Sequence, residues 1–304
     1  MRRIDPSTFG PWAVVTGASS GIGKEFARQL AASGLHLVLV ARRLPALEAL
    51  GGELAQTFGI HYRAVGLDLT TDEFLQKMEE ATHDLDIGLV VSNAGAMTAG
   101  DFLTMDHRTL QRSLRLNVKA HLDVTHHFGL QLARRGRGGL LLVASTTGLQ
   151  GIPFSAEYAA EKAYVLSLGE ALHVEFQKVG VNVTVLSPGA TDTPMMSASG
   201  FDPATLPMKP MAPDQCVAEG LAALSANRAT HIPGRLNRIM AAVMPRSLAT
   251  RMYGSMMARL IARRSAAAST QAKRVHEQHA LNESDKETPM RRMEKHTGGA
   301  PTPS

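Results

Sequence analysis

Residues 12–31, WAVVTGASSGIGKEFARQLA, constrain the fold more tightly than any other stretch. A short β-branched run meets Gly17, Gly21 and Gly23, spaced G-x-x-x-G-x-G, and passes directly into a segment of helical period. Glycines allow a tight turn and a close approach of backbone to a bound group, and the positive N-terminus of the next helix suits a pyrophosphate. Alone, such a turn says little. Between a strand and a helix it is a nucleotide-binding feature, although three residues here separate the first two glycines where the G-x-G-x-x-G fingerprint has one.

The same unit repeats along the chain. Apolar runs at 12–16, 35–41, 61–67, 87–92, 139–145 and 181–187, with a short THIP at 230–233, read as seven strands. Between them, 25–33, 44–58, 72–83, 106–135 and 156–179 carry helical period. Strands that are apolar almost throughout belong to parallel sheets covered on both faces, so the alternation predicts an α/β fold, a Rossmann-type doubly wound seven-stranded parallel sheet. After Pro233 the pattern changes: Leu236, Met240, Val243, Leu248, Met252, Met256 and Leu260 recur three to five residues apart among arginines, interrupted at Pro245. This predicts a C-terminal amphipathic helical extension broken near Pro245, followed by a polar, disordered tail. The expected organisation is a domain over 1–235 that binds cofactor and substrate, the extension over 236–265 and a basic tail over 266–304.

Composition narrows the function. With 304 residues, 44% hydrophobic and 19% charged, the chain can bury a large core as a soluble protein. Net charge is +5, but residues 235–304 hold thirteen Lys or Arg against five Asp or Glu, which leaves 1–234 net negative and argues against a nucleic-acid binder. No run approaches the ~20 apolar residues of a membrane span, and the apolar stretch behind the basic start is too short for a secretory signal. The single cysteine, Cys216, excludes an internal disulfide; a buried thiol and a reducing, cytoplasmic setting are expected. The extension leaves four roles open: packing on the parent domain, a cover for the substrate cleft, a protomer interface, or a peripheral membrane contact.

Strand two ends in LVLVARR, with no acidic residue to accept a ribose 2′-hydroxyl. Arg42, with Arg43 beside it, offers a guanidinium suited to a 2′-phosphate, so NADP(H) is expected over NAD(H). Further on, SAEYAAEKAY places Tyr158 and Lys162 one helical turn apart. Their Cβ atoms then lie about 5–6 Å apart on one face, a phenol beside an ammonium.

TGASSGIG at 16–23, SNAG at 92–95, Asn117 in LRLNVKA, Ser145 in LLLVASTTG, YAAEK at 158–162 and SPGATDT at 187–193 stand in the order and spacing of the short-chain dehydrogenase/reductase family. The resemblance covers roughly residues 10–235. FGPWAVVTGASSGIGKEFARQLA also resembles the branch with 17β-hydroxysteroid dehydrogenases and very-long-chain 3-oxoacyl-CoA reductases. The resemblance implies that Gly17, Ser19, Ser20, Gly21, Ile22 and Gly23 form the pyrophosphate turn, and that Asp68 holds the adenine amino group with Leu69 adding a backbone contact. It implies that Asn93, Ala94 and Gly95 tie the central sheet and line the adenosine ribose, with Ser92 in place of the usual first asparagine. Pro188, Gly189 and Thr193 would place the nicotinamide.

The resemblance also assigns a catalytic set: Tyr158 as general acid in reduction and base in oxidation, Ser145 as donor to the substrate oxygen, and Lys162 on the nicotinamide ribose and lowering the tyrosine pKa. Asn117 would orient a water against Lys162 in a proton relay. His121, His126 and His127 share a helical stretch in which only Asp123 stands at ligand spacing, so helix-surface histidines and no metal are expected. Met195, Met196, Phe201, Leu206, Met208 and Met211 suggest an apolar, adaptable substrate pocket. The expected function is an NADP(H)-dependent oxidoreductase, a homodimer or homotetramer, that interconverts carbonyl and alcohol on a hydrophobic substrate such as a 3-oxoacyl thioester, a steroid or a fatty aldehyde. The competing reading is a cofactor-binding regulatory or scaffolding protein that uses its basic C-terminal segment.

Overall fold

Seven parallel strands form one sheet: β1 (Trp12–Thr16), β2 (His36–Ala41), β3 (Tyr62–Gly66), β4 (Ile87–Ser92), β5 (Gly138–Val143), β6 (Val181–Leu186) and β7 (Thr230–His231). Their order across the sheet is β3-β2-β1-β4-β5-β6-β7, every neighbouring pair parallel. The chain winds outward to β3, returns to the centre at β4 and winds the other way. In sheets of this kind ligands bind outside the carboxyl ends of the strands at that reversal, here between β1 and β4. The computed structural model describes residues 4–198, 209–259 and 261–262. It comprises two units, Met1–Ser255 and Met256–Ser304, and the whole sheet lies in the first.

Strand side chains alternate between two cores. Ala13, Val15, Leu37, Leu39, Leu89, Val91, Leu141 and Val143 pack with Phe26 and Leu30 of α2 (Gly21–Ala31) and with Leu47, Leu50 and Leu54 of α3 (Leu44–Phe58). Val14, Val38, Val40, Val90, Leu140, Val181 and Val183 face the other way. There they meet Phe74 and Met78 of α4 (Phe74–Glu80) and Val124, Phe128 and Leu132 of α6 (Ala120–Arg135). A buried side chain of this size contributes roughly 1.5–3 kcal/mol. Burial on both faces is why the strands read as continuous apolar runs.

The predicted seven-stranded parallel sheet is the observed one, with strand ends moved by one or two residues. Other differences are local. A short helix, α1 (Pro6–Phe9), precedes β1, its first turn set by Pro6 and by the Asp5 carboxylate that accepts from the Ser7 N–H. Helix α2 starts at Gly21 rather than 25, because the turn glycines themselves enter the helix. The long helical stretch predicted over 106–135 is α5 (His107–Leu114) and α6, joined by a π-helical turn over Arg115–Lys119. Helix α7 (Ala156–Gln177) follows β5, and α8 (Pro194–Ala198) follows β6.

The sequence reading did not find α9 (Pro213–Ser225), which starts at Pro213 and buries Cys216, Val217, Gly220, Leu221 and Leu224 against the first core. Burial pushes the Cys216 thiol up to about 12, which makes it an inert core group. In the extension, α10 (Arg235–Val243) ends before Pro245 and a second helical run begins at 246, so the break falls where the proline predicts. Phe201, Leu206 and Met208 of the expected pocket, Leu260 of the extension and the tail over 266–304 lie outside the described residues. Among the described residues no helix is long and apolar enough to cross a membrane, and none form a cluster that could hold a metal.

Candidate active site

At the carboxyl end of β1 the backbone turns at Gly17, whose φ of 69° lies in the region that favours glycine. A Cβ on Gly23 would stand 2.2 Å from the Gly17 carbonyl oxygen, so the first turn of α2 lies directly on the loop only because that side chain is missing. Ser20 occupies the N-cap in extended backbone without a side-chain bond to the helix. Ser19 and Ile22 complete the turn, and Gly21 lies beside Thr193, whose methyl a Cβ there would meet at 3.2 Å. The turn is tied to β4: the Thr16 hydroxyl accepts from the N–H groups of Asn93 at 2.9 Å and Ala94 at 3.0 Å, and the Asn93 amide donates to the Thr16 carbonyl at 2.9 Å. These residues create an open, uncharged cradle lined by N–H groups, which fits a pyrophosphate.

Around the end of β2, Arg42 and Arg43 are both exposed. Arg43, not singled out for direct contact by the sequence, donates to the Ser19 carbonyl and hydroxyl, each at 3.3 Å, and so joins the second strand to the glycine turn. The Asp68 carboxylate accepts from the Thr70 N–H at 3.0 Å and from Arg112 at 2.7 Å. Burial opposes its ionisation, but the Thr70 donors and the guanidinium groups of Arg112 and Arg42 outweigh that and hold its pKa below the usual value. Leu69 is buried beneath it.

The proton-handling residues come from three elements. Tyr158 and Lys162 lie on α7, 7% and 3% exposed. Ser145, just past β5, accepts from the Thr147 N–H at 3.2 Å and donates to the Pro188 carbonyl at 3.4 Å, which joins it to the Pro188–Gly189 loop. Asn117 is fully buried in the π-helical turn. Its Oδ1 accepts from the Ala96 N–H at 3.1 Å and its Nδ2 donates to the Ala96 carbonyl at 2.8 Å. A Cβ on Gly95 would meet Asn117 Oδ1 at 2.8 Å and Lys162 Nζ at 3.3 Å, so Gly95 is the gap across which the two groups face each other. Lys162 Nζ also donates to the Val143 carbonyl at 3.1 Å.

One further group escaped the sequence reading, and one was misplaced by it. Glu161, 1% exposed, accepts from Asn117 Nδ2 at 2.8 Å and from the Ser113 hydroxyl at 3.1 Å. His121 is no surface histidine: it is 1% exposed, with Nδ1 2.8 Å from the Ser92 hydroxyl. Ser92, the departure from the usual asparagine, is thus the partner of a buried imidazole. Burial, reinforced by the Lys162 charge, pushes the His121 pKa well below its ordinary value and keeps the ring neutral.

The ionisable groups perturb one another. Burial raises the Tyr158 phenol above its ordinary range, the Glu161 carboxylate adds to that rise, and the Ser145 hydroxyl offsets part of it. Lys162 was expected to lower the phenol; its Nζ lies 5.7 Å from the ring centroid, but burial and Glu161 dominate in the protein alone. Burial also lowers Lys162 to about 8, while Glu161 supports its charge. Burial, aided by the neighbouring Glu161, lifts Glu157 to about 7.

The extension borders this end. Asn237 of α10 comes within 3.0 Å of where a Gly189 Cβ would stand, and a Gly254 Cβ would stand 2.9 Å from Pro153. Met196 is buried and Met211 packs on the first core, whereas Met195 is exposed.

A glycine turn at a topological switch point, with a buried phenol and ammonium beside it, defines a nucleotide-dependent oxidoreductase. The chain belongs to the short-chain dehydrogenase/reductase family: the family's model, described as short chain dehydrogenase, matches residues 11–203. It is 33% identical over 231 residues to a 7β-hydroxysteroid dehydrogenase of Clostridium sardiniense, covering 76% of this chain and 88% of that one. Across 62% of each chain it is 32% identical to the rat 17β-hydroxysteroid dehydrogenase type 3. Among solved structures, a 7β-hydroxysteroid dehydrogenase superposes with a TM-score of 0.76 at 28% identity, over 83% of this chain and 99% of the other. A short-chain dehydrogenase from Sphingobium yanoikuyae in complex with NADPH gives 0.72 at 30% identity, over 77% and 92%.

Proposed function

We propose that this chain is an NADP(H)-dependent oxidoreductase that interconverts a ketone and a secondary alcohol on an apolar, steroid-sized substrate. The observation that carries the reading is the buried Tyr158 phenol beside Ser145, with Lys162 on the next turn of the same helix. The dinucleotide, when bound, supplies or takes up the hydride. Tyr158 gives its phenolic proton to the substrate oxygen in reduction and takes it back in oxidation. Ser145 turns its donor from the long bond to Pro188 toward that oxygen and stabilises the charge developing there. Lys162 holds positive charge beside the phenol, and Asn117 is the neutral group facing it across Gly95.

The preference for the phosphorylated dinucleotide rests on Arg42 and Arg43 at the end of β2 and on the absence of an acidic residue there. The 7β- and 17β-hydroxysteroid dehydrogenases among its relatives support a steroid ketone or alcohol ahead of a fatty aldehyde or 3-oxoacyl thioester. NADPH consumption is measured across a panel of all three substrate classes, with Tyr158→Phe as control. Turnover is expected with at least one apolar ketone, and no rate above the control on any compound would reject the enzyme reading in favour of a cofactor-binding scaffold.

A peripheral membrane contact through the extension has its own support. Leu236, Ile239 and Val243 lie on one face of α10 and are 55%, 49% and 68% exposed. No Asp or Glu occurs between Glu219 and Glu277, whereas ten Lys or Arg do. An exposed apolar stripe within a wholly basic stretch suits an anionic lipid surface. Co-sedimentation with anionic vesicles is expected for the full chain and is expected to be lost in a Leu236→Asp, Ile239→Asp, Val243→Asp variant. Exposed Leu114, Leu122 and Val174 on α5, α6 and α7 support a homo-oligomer, to be read by light scattering.

A further inference from the structure

Glu161 fills the position between the alanines and Lys162 of YAAEK. By sequence it is one more glutamate on a helix. In the fold it is the meeting point of α5, the π-helical turn and α7, since Ser113, Asn117 and Glu161 each come from a different one. The Asn117 carboxamide is held on two edges. One edge faces Ala96, through Oδ1 at 3.1 Å and Nδ2 at 2.8 Å; the other presents the second N–H to Glu161 Oε2 at 2.8 Å, with Ser113 Oγ at 3.2 Å. A flipped amide would set Oδ1 against the carboxylate and its nitrogen against the Ala96 N–H, so Glu161 locks one orientation.

A carboxylate buried this deeply is an unfavourable choice for a purely structural clasp, because a glutamine would present the same acceptor without a charge. Oε1 has no hydrogen-bond partner among the described residues. The charged groups acting around it are Lys162 and Glu157 on α7; Ser113 from α5 and Asn117 from the π-helical turn are neutral donors, and the nearby His121 on α6 is neutral. Its negative charge therefore falls on the phenol and the ammonium. A negative charge beside them disfavours the phenolate and favours the ammonium, so both groups stay protonated to higher pH.

We propose that Glu161 is a positioning residue of the proton-delivery end: it fixes the Asn117 carboxamide, and its charge holds the adjoining Lys162 as the ammonium that stands beside the Tyr158 acid. The inference rests on the reading of Tyr158 as the general acid. It is tested by pH profiles of kcat and KM for ketone reduction in wild type, Glu161→Gln, Glu161→Ala and Tyr158→Phe. The glutamine keeps the acceptor and loses the charge, so the alkaline limb of kcat/KM is expected to move acidward by about one pH unit. The alanine leaves the Asn117 and Ser113 donors unmatched, and its kcat is expected to fall about tenfold below that of the glutamine variant, with KM moved far less.

A second readout needs no turnover. Burial raises the Glu161 pKa above the unfolded value of 4.5, so wild type loses stability relative to the glutamine variant as pH climbs from that value through the raised one. The Tm of Glu161→Gln minus that of wild type is therefore expected to grow as pH rises above about 5. An alkaline limb that stays in place, an alanine variant no slower than the glutamine variant, or a Tm difference independent of pH would overturn the proposal. A Tyr158→Phe protein as active as wild type would instead remove the reading beneath it.

Discussion

The two ends of the cleft are built from opposite materials. Beneath the glycine turn the contacts are mostly neutral and matched: Thr16, Asn93 and Ala94 satisfy one another, Arg43 touches the turn only from its exposed side, and the decisive property of Gly17 and Gly23 is the space they leave. Around Tyr158 the material is charge: Glu161 acts on the titration of Tyr158, Lys162 and Glu157, and the Lys162 charge helps to keep the buried His121 neutral. A site that only holds a ligand can be made of shape and N–H groups. One that must release and recover a proton needs groups whose pKa values have been moved, and around Tyr158 several such groups stand together.

The sharpest way to break that division is Tyr158→Phe, which removes one hydroxyl from the charged end. Turnover is expected to fall about 10³-fold while dinucleotide affinity, read by fluorescence titration, changes little. If affinity fell equally, the two ends would not be separable. Arg42→Ala is the converse: a charge-assisted bond is worth about 1.5–3 kcal/mol, so NADPH affinity is expected to drop roughly 10- to 100-fold, with NADH affinity and the pH profile unaltered. Equal use of NADH by wild type would count against the arginine argument.

Gly23→Ala places a methyl 2.2 Å from the Gly17 carbonyl oxygen. Relieving that overlap costs about 1–3 kcal/mol, visible as a lowered Tm and weaker binding of either dinucleotide, again without a change in pH dependence. The smallest effect belongs to Glu219, which accepts from His231, Arg238 and the Gly234 N–H far from the chemistry. Those donors outweigh partial burial and hold its carboxyl at about 2. Its stabilisation is present above the ordinary value of 4.5 and lost as pH falls through about 2, so the Tm deficit of Glu219→Gln should shrink from pH 7 to pH 3. At roughly 1 kcal/mol it should leave turnover untouched.

How much of this is legible in the sequence follows the same division. The strands and the glycine turn are local patterns, and α3 is predicted to the residue at Leu44–Phe58 because its period and Pro45 near its start leave no ambiguity. Helix α9 escaped because the segment before it reads as a pocket-lining loop and its small residues give a weak stripe; Pro213 at its first turn was the available signal. Glu161 and His121 could not be found locally. Their partners are Asn117 and Ser113, more than forty residues away, and Ser92, twenty-nine away, and only the packing of α5, α6 and α7 brings these groups together. The departure at Ser92 was visible as an unusual letter, but nothing in the letters joins it to His121, and Glu161 reads as one more helical glutamate.

The π-helical turn at Arg115–Lys119 sets the phase between two helices that look like one. Each residue of an α-helix advances about 100°, so the extra residue taken up in this turn rotates α5 relative to α6 by about that angle. Ser113 can therefore point to Glu161 while His121 points to Ser92. Deleting any one residue from 115 to 119 would let the stretch relax to a regular helix and swing one of those two side chains off its partner. The chain length there is accordingly a timing element, as restrictive as the identity of any residue within it.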